Sequence, residues 1–156
     1  MSLSVTEALA EIGKITGLPR LEFGTDRICA LTLRDRLRVE VEDHAADRTL
    51  RLCAILRDLR DADEFVLFQC LAANRNGAGA PDAILAVNPA SDELVLTQAI
   101  EPQHLDAKSF GQTVEAFFKL ALAWQDRVVV LLPPSRTDGR TDDAPPGDGA
   151  STYLRL

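Results

Sequence analysis

The chain has 156 residues, 46% of them hydrophobic, with a formal net charge of −7 and a sequence pI near 4.8. That length supports one domain with a sizeable core rather than two, and the acidity disfavours a nucleic-acid reader, which needs a clustered Lys/Arg surface. No apolar run approaches the roughly 20 residues of a membrane span, and "MSLSVTEALAEIGK" lacks the basic start and unbroken apolar core of a secretory signal, so a cytoplasmic location is expected.

In chain order, Ser4 and Glu7 form the pattern of a capping box, Val5, Leu9 and Ile12 share one face, and Gly17 with Pro19 supplies a stop, which predicts a helix over about residues 4–16. "ICALTL" (28–33), "LRVEVE" (37–42) and "TLRLCAIL" (49–56) read as three strands. The middle one alternates, Leu37, Val39 and Val41 against Arg38, Glu40 and Glu42, as in an antiparallel sheet with one wet face. The arginines at 34, 36, 38, 57 and 60 are interleaved with acids and read as a solvated mixed-charge face.

A second helix is predicted over about 62–74, with Asp61 and Glu64 spaced as a capping pair. The acids Asp58, Asp61, Asp63 and Glu64 suit the dipole at a helix start better than they suit paired acid/base chemistry. Phe65, Val66, Leu67, Phe68, Cys70, Leu71 and Ala72 go nearly all round this helix. A helix packed on one sheet should show water a polar face, so its second face is expected against another chain, in a homodimer, unless the last helix covers it.

"NRNGAGA" (74–80) has the glycine content of a phosphate cradle but follows a helix, whereas such cradles follow a strand and open a helix. Gly77 instead suits the left-handed residue past a helix end, and Pro81 leads into a hairpin with strands at about 83–88 and 93–100. A final helix spans about 107–126, opened by Asp106, with Phe110, Val114, Phe117, Ala121 and Trp124 in a core-facing stripe. "VVVLL" (128–132) either extends it or forms a short strand. Residues 1–132 are therefore taken as the domain, and the Pro/Gly/Asp-rich 133–156 as a flexible tail unable to bury enough apolar surface to fold alone.

Cys29, Cys53 and Cys70 lie in apolar segments and read as buried thiols, with no disulfide framework. His44 and His104 show no metal-ligand spacing, so no metal, no cofactor and no catalytic constellation are expected.

The order helix, three strands, helix, hairpin, helix in a small acidic chain resembles the class I type III secretion chaperones of the CesT/Tir-chaperone family. The resemblance runs over about residues 3–126 and is carried by "LPRLEFGTDRICALTLRDRLRVEVE", "LFQCLAANRNGAGAPDAILAVNPASDELVLTQAI" and "LDAKSFGQTVEAFFKLALAW". It implies an α+β fold with a twisted antiparallel sheet, a homodimer and no enzymatic activity. It further implies that the dimer binds the N-terminal segment of a secreted effector in extended form, by strand addition and apolar pockets. By position the effector groove would use Val5, Leu9, Ile12, Leu31, Leu33, Val39 and Leu52, and the dimer contact Phe65, Phe68, Leu71, Leu94 and Leu96. The alternatives are a small dimeric adaptor of the same fold that binds a folded partner and has no part in secretion, and an enzyme that uses a reactive cysteine.

Overall fold

The computed structural model describes residues 2–60 and 64–131. The expected pairing of Asp61 with Glu64, the first residues of the second helix and the tail from 133 lie outside the described residues.

Helix α1 (Val5–Thr16) begins where the sequence places it. The Ser4 hydroxyl accepts the Glu7 amide (3.2 Å) and the Glu7 carboxylate accepts the Ser4 amide (2.8 Å), so two donors that the first turn leaves free are both used. At the other end Gly17 takes φ +72°, a left-handed conformation in which a side chain would be strained.

Strands β1 (Ile28–Leu33), β2 (Leu37–His44) and β3 (Thr49–Asp58) form an antiparallel meander, and the hairpin β4 (Ala83–Asn88) and β5 (Glu93–Ile100) joins it. The result is one five-stranded sheet in the order β1-β2-β3-β5-β4, every pair antiparallel. Docking of β5 against β3 was not foreseen, and it leaves β1 and β4 as the two edges. β2 and β3 each run two residues further than the apolar alternation predicts, because the main chain stays paired through His44↔Thr49 and Asp58↔Glu93 after the apolar pattern has ended.

Helix α2 (Glu64–Asn74) lies beside β4, and α3 (Ala107–Leu131) crosses the sheet with α1. Asp106 caps α3, its carboxylate accepting the Ser109 amide at 2.7 Å. The β-branched run 128–130 belongs to this helix: Val128 is fully buried and extends the stripe Phe110, Val114, Phe117, Ala121 and Trp124 by one more turn. Packing thereby overrides the weak helix propensity of valine, since burying one such side chain is worth roughly 1.5–3 kcal/mol.

The core lies between that stripe, Ala8, Leu9 and Ile12 of α1, and one face of the sheet, from Leu31 and Val39 to Leu52 and Leu96. Among the described residues, no helix covers the opposite sheet face, where Arg38, Glu40, Glu42 and Arg51 surround a less polar centre of Cys53, Ile55 and Val95.

Candidate functional site

The two edges of the sheet differ in what they expose. Along β4 the outward main-chain groups of Leu85 and the outward Ala83 amide are already used. The Leu85 amide donates to Asn74 Oδ1 and Asn74 Nδ2 donates to the Leu85 carbonyl, both at 2.8 Å, while the Ala83 amide donates to the Ala80 carbonyl at 3.2 Å. The last side chain of α2 thus pairs with the edge strand as a neighbouring strand would.

The loop that permits this is "NRNGAGA". Gly77, Ala78 and Gly79 all take positive φ (+72°, +50° and +102°). Only Ala78 has a side chain to strain there, and it is held by the Trp124 indole, whose Nε1–H donates to the Ala78 carbonyl at 2.7 Å in a buried setting. The segment therefore positions α2 against β4, and it leads into a strand rather than opening a helix towards an anion.

Around that closed edge, apolar side chains stand in the open. Phe68 is 66% exposed, Leu71 70% and Ile84 54%, with Phe65, Leu67 and Val87 also exposed. Only Val66 and Cys70 of α2 are buried, so α3 does not cover the helix's second face. Phe65, Phe68 and Leu71 lie where a second chain could reach them. Leu94 and Leu96 do not: they are 1% and 0% exposed, pointing into the helix-covered core. Side chains alternate along a strand, so the hairpin's exposed apolar residues are Ile84 and Val87 on β4 instead.

β1 shows the reverse arrangement. The Ile28 carbonyl accepts from the Gly24 amide (2.9 Å), pointing away from β2, whereas the Arg27 carbonyl accepts from Asp43 on β2 (3.0 Å). In an antiparallel pair such directions alternate, so the N–H and C=O groups of Ala30 and Thr32 point outward as well. Both residues are exposed, and no other described residue hydrogen-bonds to their main chain. This stretch of edge is open.

Two cavities border this end of the molecule. One, of about 730 Å³, lies between α1 and the 17–23 segment and is lined by Leu9, Leu18, Leu21 and Phe23 together with Gly13 and Lys14. Gly13 is required there, since a Cβ would stand 2.9 Å from the Leu18 carbonyl oxygen. The other, of about 330 Å³, is bounded by Thr32, Leu33, Ile15, Phe118 and Leu122, with Arg34 and Lys119 among its polar lining.

Of the residues expected to form an effector groove, Leu9, Ile12, Leu31, Leu33, Val39 and Leu52 are buried core positions and Val5 is half-buried. Leu9 and Leu33 each border a cavity, while Ile12, Leu31, Val39 and Leu52 pack behind that surface. The sequence reading missed Leu18, Leu21 and Phe23 and the open main chain of Ala30 and Thr32. The first three were legible as an apolar alternation after Gly17. The last two carry no side-chain signal, because edge position is a property of topology.

The thiols are poorly suited to nucleophilic work. Burial raises Cys29 and Cys70 above the ordinary thiol range, and burial with the charges of Glu42 and Glu40 pushes Cys53 up to about 11. His44 and His104 face carboxylates, Glu42 and Glu101, each at 2.8 Å. Among the described residues, no helix is long and apolar enough to cross a membrane.

A family model, the Tir chaperone protein (CesT) family, matches residues 7–125. No curated protein sequence matches the chain. Among solved structures it is similar to a chain of the ExsC–ExsE complex, at 22% identity over 82% of this chain and 97% of that one, TM-score 0.67. A chain of the HopA1–SchA chaperone–effector complex matches at 16% identity over 78% and 90%, TM-score 0.60. A chain of the complex between the Yersinia pestis type III secretion chaperone SycH and a stable fragment of YscM2 matches at 15% identity over 80% and 97%, TM-score 0.55. At these identities the likeness is one of fold.

Proposed function

Since the chain belongs to the Tir chaperone protein (CesT) family, we propose that it is a type III secretion chaperone. It works as a cytoplasmic homodimer and a binding protein rather than an enzyme, holding the N-terminal segment of a secreted effector in extended form, soluble and ready for export. Two of the similar structures are a chaperone–effector complex and a type III secretion chaperone in complex with a stable fragment of another protein.

The observation that carries the reading is an unpaired stretch of β1 main chain beside apolar cavities. An extended segment laid along Ala30–Thr32 would gain main-chain hydrogen bonds from the edge and set alternate side chains towards the α1 side. The bonds are indifferent to side chains and supply affinity; the cavities select sequence. The cavity-lining residues Leu9, Leu18, Leu21, Phe23 and Leu33 are assigned to effector contact. Val5, Ile12, Leu31, Val39 and Leu52 are assigned to the structure beneath it.

The dimer contact is assigned to the other end of the molecule, with Phe65, Phe68 and Leu71 of α2 and Ile84 and Val87 of β4. Occupation of the Leu85 main-chain groups by Asn74 supports a contact made by side chains there. Purification of the chain from its native bacterium, with mass spectrometry and limited proteolysis of what stays bound, tests the reading. A single larger secreted protein held through a protected N-terminal segment is the expected result. A tight complex with a folded domain, retained after deletion of that partner's N-terminal segment, would favour the adaptor instead.

A further inference from the structure

α2 turns one stripe away from the sheet. Val66 and Cys70 are buried on its inner side, where Asn74 is also bonded to β4. On its outer side Glu64, Phe68, Leu71 and Arg75 follow one another at steps of four, three and four residues, which at about 3.6 residues per turn sets all four on one line. Arg75 keeps to that line although the helix ends at Asn74, because the Asn76 amide donates to the Ala73 carbonyl at 3.0 Å and holds the chain wound past it. All four residues are exposed. Neither the Glu64 carboxylate nor the Arg75 guanidinium has a hydrogen-bond or ion-pair partner among the described residues.

The stripe reads acid, apolar, apolar, base. Turned end for end it reads base, apolar, apolar, acid, so it complements its own antiparallel copy. Phe68 and Leu71 lie symmetrically about the middle of the helix, and so do Glu64 and Arg75. One two-fold axis, crossing between positions 69 and 70, therefore satisfies both pairs at once and repeats each of them. A parallel copy would instead oppose Glu64 to Glu64 and Arg75 to Arg75. An antiparallel copy slipped by one turn would set Glu64 on Leu71 or Phe68 on Arg75, leaving a charge against an apolar side chain.

We infer that α2 packs antiparallel on α2 of a second copy, with Phe68 against the partner's Leu71 and Glu64 paired with the partner's Arg75 at both ends of the contact. This packing rests on the dimer proposed above and adds to it an orientation, a register and two charged clasps. The apolar centre supplies affinity, and the clasps at its rim fix the register and reject helices that lack the matching charges. α2 lies beside β4, at the opposite end of the sheet from β1, so the two-fold arrangement leaves the β1 edge of each copy at a far end of the dimer, open to an extended segment.

Charge reversal tests the clasps, read as the dimer dissociation constant by sedimentation, with circular dichroism as the check on folding. Each substitution breaks two pairs, so Glu64→Arg and Arg75→Glu should each raise the constant about tenfold or more. Glu64→Arg also moves the net charge of −7 towards zero, which on its own favours association, so weaker association of this variant points to the pair itself. Both substitutions together in one chain should return the constant to within about threefold of the wild type. Each places a charge unfavourably on the dipole of α2, so damage to the helix would accumulate in the double variant whereas the paired contact is restored. A dimer indifferent to either single substitution, or a double variant at least as weak as the singles, would overturn the inference and leave the dimeric chaperone reading standing. A wild-type chain that stays monomeric would overturn both.

Discussion

The two ends of the sheet offer opposite kinds of surface. At β4 the Leu85 main chain is satisfied by Asn74 and large apolar side chains stand in the open; at β1 the main chain of Ala30 and Thr32 is open and most apolar side chains are buried beside cavities. Side chains fixed on a helix and its neighbouring strand recognise a surface of matching shape, which in the proposed dimer a second copy of the chain would present. Free amides and carbonyls recognise any backbone in extended form and leave selectivity to the cavities. Under the proposed assignment, a contact that requires a folded partner lies at one end of the sheet and one that requires an unfolded segment lies at the other.

Three changes would break or sharpen that contrast. The largest effect is expected from Phe68→Asp combined with Leu71→Asp, which places two charges in the assigned dimer contact. Dimer dissociation constants should rise by about 100-fold or more, since buried interface anchors are worth about 2 kcal/mol or more each, while circular dichroism stays unchanged because both side chains are exposed in the monomer. A variant that remains dimeric by light scattering would remove α2 from the interface.

Next is Asn74→Ala, which should open β4 as β1 is open. Two hydrogen bonds vanish and the Leu85 groups lose their partner, at a cost of about 1–3 kcal/mol in denaturant unfolding. Slow exchange at the Leu85 amide should be lost with it.

The smallest effect touches neither edge and serves as a control. The Asp106 carboxylate accepts the Ser109 amide, which holds its pKa below the ordinary value. A lowered folded-state pKa means that its stabilisation is present above the unfolded value, near pH 4, and is lost as pH falls through the folded one. Asp106→Asn keeps a good cap, so the neutral protein should melt almost as before while the part of acid sensitivity below pH 4 that Asp106 supplies disappears. Thermal melts from pH 5 to pH 2 would check this.

Elements whose signals are local were legible from the sequence. The capping box at Ser4 and Glu7, the left-handed Gly17, and the hairpin boundaries at 83–88 and 93–100 each depend on residues within one turn of chain, and the structure places them as expected. The apolar circumference of α2 was legible too, and Phe68 and Leu71 remain exposed in the single chain.

Which apolar positions reach a surface was not legible. Ile12, Leu31, Val39 and Leu52 have the periodicity of a face, but periodicity does not tell which faces are covered by other elements. Leu94 and Leu96 lie on the covered face of β5, and the sequence does not say which face of that strand the helices take. The bond from Trp124 to Ala78 joins residues 46 apart in sequence and has no local signature. The open edge was illegible for a deeper reason: "ICALTL" would read the same in the middle of a sheet.

The most direct test of the contrast is photo-cross-linking in the native bacterium from a reactive residue installed at position 30 or at position 68. From position 30 the account predicts a product joined to the N-terminal segment of a secreted protein, and from position 68 a product joined to a second copy of the chain. Products joined to a folded partner from position 30, or no self-linked product from position 68, would contradict it.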